Sequence, residues 1–318
     1  MRVLITGVTG QDGSYLAEQL TAAGDTVYGL VRGQPNAKWA WIQELVPGLR
    51  LLQGDLLDQS SLQAALAVAE PDVVFNLAAI TYVGMSWQQP IVMSEVTGLG
   101  CLRLLEAIRT SAPAARMVQA STSEMFGQAV ECPQNEATPL MPRSPYGVAK
   151  TFAHHAVVNY RESYGLHAST AIMFNHESPR RGEEFVTRKV TAAAARIAAG
   201  RQAKLVLGRL DSRRDWGWAP DYVRALPLIA ARDAPDDFVL ATGETHSVLE
   251  LVQAAFDATG LREGQHLETD RRLWRPADIR HLEGDATKAR QVLGWEPSVR
   301  FTGIVQRLIE HDLATVAG

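Results

Sequence analysis

Short apolar runs alternate with longer amphipathic stretches through the first half of the chain. The runs cover residues 3–6, 26–31, 51–53, 73–78 and 117–121 and are rich in branched side chains. The run 73–78 is apolar except for Asn76, as expected for a strand that helices cover on both faces. Strands that alternate with helical stretches predict an α/β fold with a doubly wound parallel sheet.

The second half has a less regular pattern and predicts a smaller lobe. A helix is expected over 187–199, a strand over 238–240, a serine-capped helix over 247–260 and a last short helix over 285–294. No proline- or glycine-rich linker separates the halves. The two lobes are therefore expected to interleave along the chain.

Composition excludes several classes of protein without naming a function. The 318 residues carry 31 basic and 35 acidic side chains, so nucleic acid is not expected as a main partner. No apolar run reaches the roughly 20 residues of a membrane span, and no membrane association is expected. Two cysteines cannot form a disulfide framework, and together with eight histidines they show no metal-ligand spacing. We expect a cytoplasmic protein without a metal and without a role for either cysteine.

A glycine-rich loop follows the first strand and leads into the first helical stretch. Its glycines have the spacing G-x-x-G-x-x-G, which lets backbone N–H groups approach a pyrophosphate at a helix N-terminus. A glycine triplet alone also occurs in plain strand–helix turns, but its place between a strand and a helix favours a Rossmann-type dinucleotide site. The candidate cofactor contacts are Gly7, Thr9, Gly10, Gln11, Asp12 and Gly13.

The residue at the end of the second strand helps to decide between NAD and NADP. An acidic residue there would hold the 2'-hydroxyl of NAD, but Arg32 occupies the position. Arg32 favours NADP, NAD is not excluded, and the alternative is a merely solvated arginine. Asp55 and Leu56 are expected near the adenine, and Leu77, Ala78 and Ala79 beside the cofactor.

Tyr146 and Lys150 are four residues apart on a helix that Ser144 can cap, with Pro145 at its first position. They share one helical face, where an ammonium group would lower the pKa of the phenol and make it a base near neutral pH. The alternative is an exposed pair of no consequence, since the spacing is common.

Thr122 and Glu124 follow the strand at 117–121, where an α/β sheet binds its ligands. Thr122 can donate a hydrogen bond to a substrate oxygen. Hydride transfer needs only a hydroxyl and the Tyr146–Lys150 pair, so the extra carboxylate of Glu124 indicates a second proton movement, such as abstraction next to a carbonyl.

These motifs together resemble the extended short-chain dehydrogenase/reductases and, among them, the GDP-mannose 4,6-dehydratases. The matching segments are TGVTGQDGSY (6–15), STSEMFG (121–127), PRSPYGVAK (142–150), FNHESPRRG (174–182), FVTRK (185–189) and RDWG (214–217). The likeness runs from residue 3 to about residue 314. The segments 175–179 and 214–217 are more specific than the motifs shared by all dehydrogenases of this type.

The resemblance implies a lyase that converts GDP-mannose to GDP-4-keto-6-deoxymannose with an internally recycled NADP. Tyr146 would take the proton of the 4-hydroxyl while a hydride leaves C4, and Glu124 would remove the C5 proton as water leaves C6. A hydride would then return to C6 and a proton to C5. Thr122 would polarise the C4 oxygen, and Lys150 would orient the ribose. The alternatives are a dehydratase for another GDP-hexose or NDP-hexose, an epimerase or 4-keto reductase, and a non-catalytic NADP-dependent sensor.

The resemblance also implies where the GDP-sugar binds. Arg214 and Arg275 are the candidates for its diphosphate, because a guanidinium can pair two oxygens at once. The full set of implied substrate contacts is Ser86, Ser123, Asn175, Glu177, Arg180, Lys189, Gly208, Arg214, Arg275 and Asp278. The expected division is an NADP-binding Rossmann domain of residues 1–172 plus about 213–243 and a nucleotide-sugar lobe of about 173–212 plus 244–318. A homodimer is expected, with a tetramer as the alternative.

Three positions depart from the family pattern. The segment after Arg32 is shortened, which keeps NAD and the dimer–tetramer choice open. Ile80 stands where the family has an amide, and Arg280 stands where it has an acid, so the hexose stays open as well.

Overall fold

A computed structural model describes residues 1–317 of the chain. The strands are β1 (Arg2–Thr6), β2 (Thr26–Val31), β3 (Arg50–Gln53), β4 (Val73–Asn76), β5 (Arg116–Thr122), β6 (Ala168–Met173), β7 (Asn175–Glu177), β8 (Leu205–Leu207), β9 (Arg213–Trp218), β10 (Asp237–Leu240), β11 (Thr245–Ser247) and β12 (Leu267–Thr269). The α-helices are α1 (Gln11–Ala22), α2 (Ala37–Leu45), α3 (Gln59–Ala69), α4 (Val83–Ser86), α5 (Pro90–Met93), α6 (Gly100–Ser111), α7 (Pro145–Tyr164), α8 (Val186–Ala198), α9 (Ala219–Ala230), α10 (Val248–Thr259), α11 (Glu263–His266), α12 (Thr287–Leu293) and α13 (Phe301–Ala317).

Seven strands form one parallel sheet in the order β10-β6-β5-β4-β1-β2-β3. The order runs outward in both directions from the β1–β4 pair, in which Val3 lies opposite Val73. This arrangement confirms the predicted α/β, Rossmann-type doubly wound sheet. Ligands of such sheets bind beyond the carboxyl ends of the strands where the order reverses, so β1 and β4 define where the site lies.

Helices cover both faces of the sheet. On one face α1 and α9 pack together, and Leu16 and Ile229 join a core that includes Val118 and Phe238. On the other face α3, α6 and α7 bury Leu104. Because both faces are covered, every residue of β4 is buried rather than every second one.

The smaller lobe consists of α8, α10 and α13 with the short β8–β12 sheet. Its core contains Val190, Leu251, Phe256 and Val305. The sequence interpretation missed α13 and placed the last helix at 285–294. That short helix is α12, which ends at the left-handed Gly294, while α13 buries apolar residues at helical spacing against α8.

Local capping chemistry fixes the helix that carries the expected catalytic pair. The Ser144 hydroxyl accepts a hydrogen bond from the Gly147 N–H at 3.0 Å, Pro145 is the first helical residue, and α7 ends at Gly165 with a φ of 67°. This start of α7 confirms the prediction. The capping box of α10, between Ser247 and Glu250, is present as well.

The chain crosses between the lobes more than once. Strand β9 pairs with β7 and β11 in a three-stranded sheet, while α9 packs on β5 and β6 and β10 joins the seven-stranded sheet. The expected domain boundaries stay a prediction. Among the described residues, no helix has the length and hydrophobicity needed to cross a membrane.

Candidate functional site

A cavity of about 1280 Å³ lies at the carboxyl ends of β1, β4 and β5, between the sheet and the smaller lobe. Of the residues expected in the site, it is lined by Gly7, Thr9, Gly10, Gln11, Asp12, Gly13, Arg32, Asp55, Leu56, Leu77, Ala78, Ala79, Thr122, Ser123, Glu124, Tyr146, Lys150, Asn175, Glu177, Arg180, Gly208, Arg214, Arg275 and Asp278. The fold therefore brings together segments that lie more than 260 residues apart. Ser86 and Lys189 are not among the lining residues.

The glycine loop is built so that its backbone faces the cavity. Gly7 has a φ of +71°, and a Cβ atom added there would lie 2.8 Å from the Ala78 nitrogen. A Cβ atom at Gly13 would lie 2.3 Å from the Gly7 oxygen. The N-cap of α1 is Gly10, and no side chain caps the helix. The first N–H groups of α1 thus remain available to an anion, which fits a dinucleotide pyrophosphate.

The far end of the cavity is formed by the residues after β2. Arg32 is exposed and lines it, and α2 adds Lys38, Trp39 and Trp41. The Asn36 side chain caps α2 by accepting a hydrogen bond from the Lys38 N–H at 3.0 Å. The sequence interpretation treated this segment only as a shortened loop. Two tryptophans and two cations at one end make a surface suited to an adenosine phosphate.

Tyr146 and Lys150 are both buried on α7. The Lys150 ammonium donates a hydrogen bond to the Ala120 carbonyl at 2.7 Å and lies 6.0 Å from the Tyr146 ring centroid. Burial lowers the pKa of Lys150 to about 8. Burial raises the pKa of Tyr146, while the Thr122 hydroxyl acts to lower it. The structure thus does not show the lowered phenol pKa expected from Lys150, because desolvation dominates and Lys150 is turned to a backbone carbonyl.

Glu124 lines the cavity close to Thr122. It follows β5 in a 3₁₀ turn, its N–H donates to the Thr122 hydroxyl at 3.3 Å, and its side chain is buried. The Glu124 charge acts to raise the pKa of Tyr146 and also acts on the buried guanidinium of Arg214. The carboxylate is therefore within electrostatic reach of the expected base on one side and of the expected anion site on the other.

Arg214, Arg275 and Asp278 form one cluster at the side of the cavity that belongs to the smaller lobe. The Asp278 carboxylate lies 3.7 Å from the Arg214 guanidinium and 3.8 Å from that of Arg275. Arg214 also donates to the Ile279 carbonyl at 2.9 Å, which fixes its direction. Burial lowers the pKa of Arg214, and the charges of Glu124 and Asp278 oppose that shift. Two guanidiniums that share one carboxylate retain donors for an anionic ligand.

Two of the expected substrate contacts are held by the protein itself. Glu177 pairs with Arg181 at 3.0 Å and accepts a short hydrogen bond from Thr187, and it is almost fully buried. Arg180 pairs with Glu18 at 2.6 Å, and its guanidinium lies 3.8 Å from the Tyr15 ring centroid. Arg180 is thus fixed to the helix of the glycine loop.

Ser86 and Lys189 lie outside the cavity lining for identifiable reasons. The Ser86 hydroxyl is fully buried and donates to the Val83 carbonyl at 2.7 Å, inside the short helix α4. Lys189 lies on α8 next to Arg188, where its side chain is partly exposed. Neither side chain lines the cavity, and contact of Ser86 or Lys189 with the sugar nucleotide stays a prediction.

A buried polar contact joins the glycine loop to the FNHESPRRG segment. The Asp12 carboxylate lies 3.0 Å from Nε2 of His176, and Nδ1 of His176 lies 2.7 Å from the Phe174 carbonyl. Gln11 accepts a hydrogen bond from the Ser178 hydroxyl at 2.8 Å. The sequence interpretation rejected His176 as a metal ligand and gave it no other role. His176 and Asp12 are 164 positions apart in the sequence, so no local pattern indicates their contact.

The neighbouring Arg181 was also missed, although it stands in the same motif as Arg180. Its guanidinium lies 4.0 Å from the Phe185 ring centroid, and its charge acts to lower the pKa of both Asp12 and Tyr146. The two arginines of the PRRG segment therefore point to different parts of the cavity. Arg181 is the one within reach of the expected catalytic base.

Comparison with known proteins agrees with this geometry. A family model described as GDP-mannose 4,6 dehydratase matches residues 4–308. The chain belongs to the GDP-mannose 4,6-dehydratase family. It is 46% identical over 322 residues to GDP-mannose 4,6 dehydratase 1 of Arabidopsis thaliana, which covers 98% of this chain and 89% of that protein.

Solved structures place the GDP-mannose 4,6-dehydratase family fold within a wider group. A UDP-glucose 4-epimerase of Thermotoga maritima, crystallised with UDP-glucose, matches with a TM-score of 0.87 and 25% identity over 99% of this chain and 100% of that chain. A UDP-glucose 4-epimerase of Thermus thermophilus, in complex with NAD, matches with a TM-score of 0.83 and 29% identity over 98% and 99% of the two chains. The chain therefore shares its fold with nucleotide-sugar epimerases of known structure.

Proposed function

We propose that this chain is a hydro-lyase that converts GDP-mannose to GDP-4-keto-6-deoxymannose with an internally recycled NADP. Family membership over residues 4–308 supports the reaction class. The observation that carries the proposal is the buried Glu124, which lines the same cavity as the glycine loop, Tyr146 and Arg214. A simple dehydrogenase or epimerase needs no carboxylate at that place.

Each protein group has a distinct part in the proposed reaction. A bound nicotinamide dinucleotide supplies a hydride acceptor and donor. Tyr146 takes the proton of the sugar 4-hydroxyl, and the Thr122 hydroxyl donates a hydrogen bond to the same oxygen. Because burial raises the pKa of Tyr146, the proposal requires the positive charge of Lys150, 6.0 Å from its ring, to favour the phenolate when Tyr146 acts as the base. A 4-keto group acidifies the C5 proton, which Glu124 takes and then transfers to the hydroxyl that leaves C6 as water. Return of the hydride to C6 and of a proton to C5 then gives the 4-keto-6-deoxy sugar.

The diphosphate of the nucleotide sugar is assigned to the cluster of Arg214 and Arg275, with Asp278 beside the ribose. Burial of Arg214 strengthens its interaction with an anion, because less water screens the charge. NADP is favoured over NAD because Arg32 and Lys38 both line the end of the cavity that follows β2. NAD is the alternative, and identification of the nucleotide released from denatured protein decides between them.

We also propose a homodimer formed by α7 and the adjacent segment around α5. Three apolar residues on the contacting helices α5 and α7 are exposed. They are Ile91 (77% exposed), Val148 (54%) and Phe152 (45%). Large exposed apolar residues on packed neighbouring helices fit a protein interface. The native mass tests the dimer, with a tetramer as the alternative.

The test of function is turnover of GDP-mannose, measured as formation of a 4-keto product that is lighter by one water. Glu124→Gln is expected to lower the rate by at least a hundredfold, because the variant lacks the group that moves the C5 proton. The matched control is Glu162→Gln, an exposed acid on α7, which should retain the native rate. No turnover with any GDP-hexose would refute the proposal. Full activity of Glu124→Gln, with a product of unchanged mass, would favour an epimerase.

A further inference from the structure

A thiol, an imidazole and a carboxylate meet on the surface, on two segments outside the site described above. Cys132 lies in the loop between β5 and α7, and His281 and Glu283 lie in the segment after β12. One potential ligand atom from each of the three lies within 4.8 Å of the other two. The cysteine and the histidine are 149 positions apart, so the spacing in the sequence gave no sign of a site.

The distances among the three ligand atoms match those around a tetrahedral cation. Cys132 Sγ lies 3.9 Å from His281 Nε2 and 3.6 Å from a Glu283 oxygen, and that oxygen lies 3.1 Å from His281 Nε2. Zinc bonds of about 2.3 Å to sulfur and about 2.05 Å to nitrogen or oxygen, at tetrahedral angles, require separations of about 3.6 Å and about 3.3 Å. The observed arrangement differs from that geometry by a few tenths of an ångström.

Backbone hydrogen bonds hold the two segments in register beside the cluster. The Gln134 N–H donates to the Glu283 carbonyl at 2.7 Å, and the Glu283 N–H donates to the Gln134 side chain at 3.0 Å. The Leu282 N–H donates to the Arg213 carbonyl at 3.2 Å. The ligands therefore come from a backbone that is already ordered, which lowers the entropic cost of assembling them around an ion.

We propose that Cys132, His281 and Glu283 form a binding site for a borderline-soft divalent cation, of which zinc is the best match. A thiolate with an imidazole selects such ions over magnesium and calcium, which prefer oxygen ligands alone. Binding forms a metal–sulfur bond and releases the thiol proton to solvent. The fourth position is open to water, since Cys132 is exposed and the His281 side chain is 42% exposed.

An ion at this site would connect two segments that both lead into the cavity. The loop of Cys132 runs from Glu124 to Tyr146, and the segment of His281 begins just after Asp278. The site is distinct from the proposed reaction centre, and none of its three ligands lines the cavity. Its test is therefore independent of whether the chain turns over GDP-mannose.

The first experiment uses cobalt as the probe on untagged protein that has been treated with a chelator and dialysed. One equivalent of Co²⁺ is expected to produce a thiolate-to-cobalt charge-transfer band in the near ultraviolet. The band should be lost in Cys132→Ser. A spectrum without this band, or a band that persists in Cys132→Ser, would overturn the proposal.

The second experiment measures zinc affinity by competition with a chromophoric chelator. The native chain is expected to bind one ion, at least tenfold more tightly than Cys132→Ser or His281→Asn. The matched control is His266→Asn, whose ring contacts only the Ala203 carbonyl, and it should bind as the native chain does. Equal affinity in the native chain and in both ligand variants would refute the site. Zinc should also raise the thermal midpoint of the native chain and of the control, but not of the ligand variants.

Discussion

The contact between His176 and Asp12 leads to a prediction with a defined pH dependence. Both ring nitrogens of His176 face acceptors, the Asp12 carboxylate at 3.0 Å and the Phe174 carbonyl at 2.7 Å. A neutral imidazole has one N–H group, so only the protonated ring satisfies both acceptors. Burial disfavours the charged form of both groups, but their mutual attraction is stronger. The pKa of His176 is therefore raised and the pKa of Asp12 is lowered.

The perturbation is His176→Phe, which keeps a ring to stack on Tyr222, whose centroid lies 4.8 Å away. The variant loses two hydrogen bonds from a charged donor. It leaves the partly buried Asp12 carboxylate with a hydrogen bond from the Gln11 amide and the nearby charge of Arg181. A hydrogen bond to a charged group contributes about 1.5–3 kcal/mol, and removal of one partner of a buried pair costs about 3–5 kcal/mol. We expect the free energy of unfolding to fall by about 3 kcal/mol at pH 6.

The sign of the pH effect follows from the direction of the two pKa shifts. A raised folded-state pKa means that the stability from His176 is present below its ordinary pKa of 6.5 and is lost as the pH rises through the folded-state value. The lowered pKa of Asp12 keeps its contribution intact until the pH falls below the ordinary 3.8. The cost of His176→Phe should therefore shrink to about 1.5 kcal/mol at pH 9, where the native ring keeps one hydrogen bond.

The assay is urea unfolding of both proteins at pH 6 and pH 9, with His155→Phe as the control. His155 is exposed on α7, and its replacement should change the free energy of unfolding by less than about 0.5 kcal/mol. A cost of His176→Phe below about 1 kcal/mol at pH 6, or an equal cost at both pH values, would refute the assignment of a charged ring.

Two further substitutions test the cofactor loop and the smaller lobe. Gly13→Ala places a Cβ atom 2.3 Å from a backbone oxygen of the glycine loop. Fluorescence titration should therefore show that this variant binds the dinucleotide at least tenfold more weakly than the native chain. The control Gly264→Ala adds its Cβ atom in open space and should bind the dinucleotide as the native chain does. Asp312→Ala leaves the buried guanidinium of Arg188 without its carboxylate and should lower the free energy of unfolding in urea by about 3–5 kcal/mol. The control Glu310→Ala replaces an exposed acid and should leave the free energy of unfolding almost unchanged. Equal losses of stability in the two variants would contradict the prediction.

Six of the seven strands of the sheet were predictable because each carries its own signal, whereas β6 (Ala168–Met173) was not predicted. Runs such as 73–78 are apolar on both faces, and the glycine spacing at Gly7 appears only once in a strand–helix context, so the pattern and the motif indicate the same edge of the sheet. Helix α7 was predictable for the same reason, since Ser144, Pro145 and Gly165 are local signals that tertiary structure does not override.

The parts that escaped prediction depend on contacts between distant segments. No local sequence pattern indicates that Arg180 forms an ion pair with Glu18, or that Arg181 pairs with Glu177 in the protein interior. The family match identified these positions correctly as belonging to one segment, but a motif does not record which side chains are already satisfied. The cation cluster at Cys132 was missed for a related reason, since its ligands come from two loops rather than from one spaced motif.

The buried thiol shows how the expected catalytic lysine is held. Cys101 Sγ lies 3.0 Å from the Gln119 side-chain oxygen, and burial raises the pKa of Cys101 to about 12, so the thiol stays protonated and donates. The same oxygen accepts from the Asn76 amide at 2.6 Å, which orients Gln119 to donate to the Ala120 carbonyl at 2.8 Å. That carbonyl also accepts the hydrogen bond from Lys150 at 2.7 Å.

Cys101, expected to have no role, thus belongs to a chain of buried hydrogen-bond donors. This chain crosses β4 and β5 beneath the site and fixes the carbonyl that holds Lys150. Because every member is buried and its partners are protein groups, the position of Lys150 is set by the sheet itself rather than by the ligand.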